Sequence, residues 1–140
     1  MLEIETIHHV AVAVSDLARA KEFYSHLLGL KEIPRPAFPF DGAWYSAGSR
    51  DLHLIVANDP TLRVGKGVNS QDGHFAIRVT SFRRALEYLQ SKGYREGNPD
   101  ALRSMRLAID GPTGFPQIHI MDPDRNVIEI NAETLDADIK

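Results

Sequence analysis

Apolar and polar positions alternate along residues 117–131, QIHIMDPDRNVIEIN, on both sides of a turn cluster running from Asp122 to Asn126. Two alternating runs around such a cluster predict a β-hairpin, since Asp bonds its own backbone, Pro presets φ and Asn tolerates the left-handed region. Taken with a five-residue loop, the hairpin sets Met121 opposite Val127 and His119 opposite Glu129. Val127, Glu129 and Asn131 then share one face, and Ile128 and Ile130 the other. An imidazole and a carboxylate facing each other on an inner strand pair call for a chemical reason.

The rest of the chain obeys the same two periods. Residues 4–14, IETIHHVAVAV, read as a strand with His9, Ala11 and Ala13 on one face and His8, Val10, Val12 and Val14 on the other. Ser15 and Asp16 supply a helix N-cap. Leu17, Ala20, Phe23, Tyr24, Leu27 and Leu28 trace a helical apolar stripe that stops at Gly29. Residues 31–35 form a short strand before a proline-rich loop, PRPAFPF, and residues 42–47 and 52–57 form a hairpin across residues 48–51. Alternation on its first arm allows only one of Trp44 and Tyr45 to point inward. Residues 58–73 are turn-rich and predict a connector. Beyond it come a strand at 74–79, a helix capped by Thr80 and Ser81 and ended by Gly93, a weaker strand at 94–97, and a long, partly ordered loop over 98–116.

This order conceals a repeat. HVAVAVSDLARAKEFY from His9 aligns with HFAIRVTSFRRALEYL from His74, and His53 takes in the first hairpin the place that Glu129 takes in the second. The expected fold is α+β: two βαβββ modules forming a curved mixed sheet around a metal-binding cleft. Units of this size bury too little surface to stand separately. The 140 residues are therefore expected to be one domain, with module one at about 4–58, a connector at 59–72, module two at 73–131 and a polar tail at 132–140.

Composition narrows the functional classes. A net charge of −3 gives no electrostatic case for nucleic acid or an anionic membrane surface. The absence of cysteine removes disulfides, thiolate ligands and a cysteine nucleophile. The opening MLEIET has no basic segment before an apolar run, and no stretch is long enough to span a bilayer, so a cytoplasmic location is expected.

His9, His53, His74 and Glu129 occupy matched positions of the repeat. Three neutral imidazoles and a carboxylate suit a divalent first-row ion such as Zn, Ni, Co, Mn or Fe. Four protein ligands leave two adjacent octahedral positions for a small substrate that chelates through neighbouring oxygens. His119 is expected beside Glu129, as its partner or as a general acid/base, and these two are the candidate catalytic residues. His8 points to the face opposite His9 and His26 rides a helix, so both read as structural or solvated. Arg103 and Arg106 are solvated loop residues or grips for an anionic substrate.

HHVAVAVSDLARAKEFYSHLLGL, GHFAIRV and MDPDRNVIEIN resemble the hallmark segments of the vicinal-oxygen-chelate superfamily, which includes glyoxalase I, extradiol dioxygenases and bleomycin-resistance proteins. The resemblance covers nearly the whole chain. It implies metal ligands at His9, His74 and Glu129, and it places His53 at the fourth position, where His53 binds the metal or touches substrate. Glyoxalase I has a glutamate there, so strict glyoxalase I chemistry is not expected. The implied activity is that of a metal-dependent lyase or isomerase. The alternatives are an Fe(II)-dependent dioxygenase and a non-catalytic small-molecule binding or resistance protein. A homodimer is implied as well.

Overall fold

Strand alternation gives each sheet one apolar face, and each capped helix supplies apolar side chains to bury with it. The computed structural model describes residues 1–57 and 63–135. The expected polar tail and connector lie partly outside those residues. The chain divides into two compact units, Met1–Leu62 and Arg63–Lys140.

The first unit contains β1 (His9–Val14), a helix of two parts (α1, Leu17–Lys21, continued by a π-helical turn, Glu22–Leu27), β2 (Lys31–Ile33), β3 (Gly42–Ala47) and β4 (Arg50–Val56). Its sheet runs β1-β4-β3-β2, with β1 parallel to β4 and the other pairs antiparallel. Asp16 caps the helix by accepting from the Arg19 N–H, an interaction worth about 1 kcal/mol. The π-helical turn departs from the regular helix that the apolar stripe predicts. Its Leu28 N–H reaches back to the Phe23 carbonyl, and the widened turn buries the consecutive rings of Phe23 and Tyr24. Gly29 ends the helix at φ 73°, where a side chain would be strained. Val12, Val14, Leu52, Leu54 and Tyr45 build the core beneath the sheet.

The second unit contains β5 (His74–Arg78), α2 (Phe82–Ser91), a 3₁₀ turn (Ala101–Arg103), β6 (Arg106–Ala108), β7 (Gln117–Met121) and β8 (Val127–Asn131). Its sheet order, β5-β8-β7-β6, repeats the first, again with the outer β5-β8 pair parallel. Ser81 caps α2 by accepting from the Arg84 N–H. Ile118, Ile120, Ile128 and Ile130 are buried with Phe82 and Leu89. The fold is therefore α+β, with one four-stranded mixed sheet in each of two βαβββ modules.

Several boundaries differ from the sequence expectation. β1 begins at His9 rather than residue 4, because pairing with β4 starts at His9 opposite Asp51, and Ile4 and Ile7 are exposed. The first hairpin turns on two residues, Gly48 and Ser49, so Arg50 and Asp51 join the strand. Residues 94–97 make only an isolated bridge, Arg95 to Ser104. The outer strand of the second sheet is instead β6, inside the segment expected to be a loop. Three residues are too few for an alternating pattern to register. At the β7-β8 turn Arg125 holds the positive φ of 67°, the role expected of Asn126. Asn126 is engaged elsewhere: its N–H and its side-chain amide both donate to the buried Asp122 carboxylate.

Candidate metal centre in the second unit

Cross-strand register builds this site. Glu129 on β8 pairs with His119 on β7 and with Ala76 on β5, and His119 pairs with Arg106 on β6. The hairpin expectation of His119 opposite Glu129 holds. His74 opens β5 on the same face. One ligand atom from each of His74, His119 and Glu129 lies within 4.8 Å of the others, the cluster of this kind among the described residues. Glu129 Oε1 stands 3.3 Å from His74 Nε2 and 3.3 Å from His119 Nε2. His119 and Glu129 are 3% and 5% exposed, so their polarity must be satisfied within the protein or by a bound ion.

The partners of these groups fix their states. His74 Nδ1 lies 2.7 Å from the Asp72 carbonyl oxygen, which can only accept, so Nδ1 carries a hydrogen. A neutral His74 therefore turns the lone pair of Nε2 toward the Glu129 carboxylate. Two acceptors facing each other repel unless a cation or proton lies between them. Asp72 is held in place by Arg63 and Lys66, and the Arg63 guanidinium beside it keeps its carboxyl below the usual range. Arg63 also donates to the Arg125 carbonyl, which ties the base of β5 to the β7-β8 turn.

Glu129 has two further donors. Gln117 Nε2 gives a hydrogen bond to Oε1 at 2.9 Å, and Asn131 Nδ2 gives one to Oε2 at 2.6 Å. Burial by itself would raise this carboxyl. The bonds from Asn131 and Gln117, with His119 and His74 nearby, outweigh burial and leave it below the ordinary value. Burial lowers His119, and the opposing pull of Glu129 does not restore it, so His119 favours the neutral form that a metal needs. Arg78 Nε donates to Asn131 Oδ1 at 2.9 Å, which turns the Asn131 amide nitrogen toward Glu129. Phe115 packs against that guanidinium, 5.0 Å from its ring centre.

Sequence reasoning does not single out Gln117, Asn131 and Arg78 as site residues. Their parity is legible, since Gln117 shares a face with His119 and Asn131 shares one with Glu129. Which side chains join across the strands is not. The arginine expectations also separate here: Arg103 lies 5.2 Å from the Tyr94 ring centre, whereas Arg106 is cross-strand from His119.

His9 and His53 form a pair in the first unit. Their rings stack with centroids 4.2 Å apart, and Trp44 stacks on His53 at 4.0 Å, nearly parallel. His9 Nδ1 meets His8 Nδ1 at 2.9 Å. His53 is buried, and burial followed by the neighbouring His9 lowers its pKa. Alternation on β3 sends Tyr45 into the core, where its hydroxyl meets Ser25 Oγ at 2.8 Å, and leaves Trp44 on the histidine face.

Three comparisons with known proteins bear on this geometry. The chain is 27% identical over 131 residues to the uncharacterized protein YwkD of Bacillus subtilis, a match that covers 91% of this chain and 96% of that one. It is 29% identical over 119 residues to a probable chloroplastic lactoylglutathione lyase of Arabidopsis thaliana; the match takes in 76% of this chain but only 33% of that longer protein. Among solved structures, the fold matches a glyoxalase family protein from Enterococcus faecalis with TM-score 0.68 at 22% identity, covering 91% of this chain and 97% of that one. It also matches a lactoylglutathione lyase from Agrobacterium tumefaciens with TM-score 0.65 at 18% identity, covering 92% and 94%. No helix among the described residues is long and apolar enough to cross a membrane. The model of one family matches residues 6–130, nearly the whole chain, and the protein belongs to that family, the Glyoxalase/Bleomycin resistance protein/Dioxygenase superfamily.

Proposed function

We propose that His74, His119 and Glu129 bind one divalent first-row metal ion, and that the protein is a metal-dependent lyase or isomerase. The observation that carries this reading is His74: its Nδ1 is committed to the Asp72 carbonyl, so Nε2 is the ring nitrogen left to face a carboxylate oxygen 3.3 Å away, and in the neutral ring it carries the lone pair. A backbone-anchored Nδ1 with Nε2 free is the arrangement that orients a ligating histidine. Two imidazoles and one carboxylate suit such an ion, which when bound would polarise a pair of neighbouring oxygens on a small substrate.

The chain's own residues have separate tasks. Glu129 Oε1 faces both imidazoles and serves as the ligand atom. Oε2, turned to Asn131, takes a proton from substrate and returns it. Gln117 and Asn131 keep the carboxylate ionised and oriented. Two neutral imidazoles and one carboxylate leave a divalent site with net positive charge, which together with Arg106 favours an anionic substrate. His9 and His53, also expected as ligands from the sequence, are tested by the same assay: loss of metal from His9→Ala and His53→Ala would place them in the set, and unchanged content would remove them.

Metal analysis of freshly purified protein should give about one ion per chain. Glu129→Ala, His74→Ala and His119→Ala should each lose it with the circular dichroism spectrum retained. Stoichiometric metal in all three variants would overturn the proposal. The glyoxalase I substrate should be turned over weakly, since the position that bears a glutamate there bears His53 here. A homodimer is proposed too, and sedimentation as a monomer over a wide concentration range would exclude it.

A further inference from the structure

His74 stands between two hydrogen-bond acceptors. The Asp72 carbonyl oxygen lies 2.7 Å from Nδ1, and Glu129 Oε1 lies 3.3 Å from Nε2. A neutral imidazole has one N–H hydrogen to give, so the two acceptors compete for it. Given to Asp72, the hydrogen leaves a lone pair on Nε2 for an ion. Given to Glu129, it satisfies the carboxylate from within and takes Nε2 out of the ligand set. The shorter contact wins, so the position of one backbone carbonyl decides which form the ring takes.

Strand pairing does not hold that carbonyl. The β5-β8 ladder begins at His74 opposite Val127, and Asp72 lies two residues before it. The Asp72 N–H makes only a long bond, 3.3 Å, to the Asn69 carbonyl. The hold comes from side chains. Arg63 Nη2 and Lys66 Nζ both reach the Asp72 carboxylate, and the Arg63 and Asp72 side chains are only 21% and 19% exposed. Arg63 Nε donates to the Arg125 carbonyl at 2.6 Å, and Arg125 Nη1 donates to the Lys66 carbonyl at 2.5 Å. The two arginines thus clasp the segment before β5 to the turn between β7 and β8, the strands that carry His119 and Glu129. Arg125 does so at a φ of 67°, where a side chain other than Asn or Asp is uncommon. Its bond to Lys66 gives a reason for keeping arginine there.

We propose that Arg63, Asp72 and Arg125 are positioning residues for the metal centre: their clasp fixes the Asp72 carbonyl, which selects the Nδ1–H form of His74 and keeps Nε2 open to an ion. Only the last step of this inference rests on the reading of His74 as a ligand. Arg63 suits the task because its planar fork serves the Asp72 carboxylate and the Arg125 carbonyl at once. A lysine offers one compact ammonium and would drop one of the two.

Long-range proton–nitrogen correlation spectra tell which ring nitrogen carries the hydrogen. They should be recorded on the full-length protein, freed of metal with EDTA, at about pH 9, above the ordinary histidine range. The His74 signals are those missing from His74→Gln. The unmodified protein should show His74 in the Nδ1–H form. Arg63→Gln and Asp72→Ala should move it toward Nε2–H and weaken zinc, measured by isothermal titration, about tenfold. Arg63→Lys, which keeps the charge but not the fork, should behave like Arg63→Gln. Arg83→Gln, which breaks the exposed Arg83–Glu87 pair on α2, should change neither reading. An Nε2–H form in the unmodified protein, an Nδ1–H form retained in Arg63→Gln or Asp72→Ala, or zinc affinity unchanged after the form has shifted would each overturn the proposal, whatever the variants do to the melting temperature. Failure of the unmodified protein to take up zinc would overturn the metal reading instead, and the ring form would still decide the clasp.

Discussion

The two units carry different chemistry on one backbone plan. In the first, the row across the sheet reads Ala11, His53, Trp44, Ile33; in the second, it reads Ala76, Glu129, His119, Arg106. His9 and His74 open β1 and β5, two residues before Ala11 and Ala76. Where Glu129 stands between two imidazole nitrogens, His53 is sandwiched between the faces of two rings. A carboxylate attracts donors to its edge, so neighbouring nitrogens converge on it. A neutral imidazole beside an indole gains more from stacking, which turns its nitrogens sideways. Differences at three matched positions, His53 for Glu129, Trp44 for His119 and Ile33 for Arg106, thus separate a stack of rings from a carboxylate with two imidazole nitrogens turned toward it.

The largest expected effect follows from removing the group that makes the difference. Glu129→Ala should lower affinity for a divalent ion by more than about 100-fold, beyond the range typical of partners that merely orient a ligand. Isothermal titration of the metal-free protein measures this. Affinity within threefold of the unmodified protein would mean that the second row is no more a metal site than the first.

His119→Trp copies the first row into the second and sharpens the comparison. It should cost roughly 10- to 100-fold in metal affinity, since one neutral nitrogen is lost while Glu129 and His74 remain. The new indole adds a second fluorophore, so a single-tryptophan background, Trp44→Phe, keeps the signal clean. Retained affinity would show that His119 orients Glu129 without ligating.

Gln117→Ala and Asn131→Ala remove hydrogen bonds to Glu129 and should each weaken metal by about tenfold. Acid titration tests the same groups without metal. Glu129 and His119 are both held below their ordinary values in the fold, so the unfolded chain binds more protons as the pH drops. The stability they contribute is complete above the ordinary histidine range. It is lost first as His119 is forced to protonate and then as Glu129 is. Denaturant unfolding of metal-free protein should show this acid limb, and His119→Phe should flatten its upper part. A limb unchanged in that variant would assign it to other groups. The smallest effect belongs to Arg78→Ala, which frees the Asn131 amide to turn and should lower metal affinity only about two- to threefold.

Much of this is written in local stretches of the chain. Short periods set the parity of each strand, so alternation and loop length are enough to put Glu129 and His119 face to face. The N-cap side chains of Asp16 and Ser81 and the stop at Gly29 are decided by residues close to them in sequence, and the repeat shows that His53 and Glu129 correspond. Tertiary structure decides what these neighbours do. β6 is too short to carry a pattern and exists because β7 offers it an edge. The π-helical turn exists because two adjacent rings must both be buried. Arg78, Asn131 and Gln117 reach Glu129 through cross-strand contacts, and the His53 ring turns flat because Trp44 packs on it. Sequence spacing fixes which face a side chain leaves from. Its direction and partners are set by packing among residues far apart in the chain, and that is where the two rows become different sites.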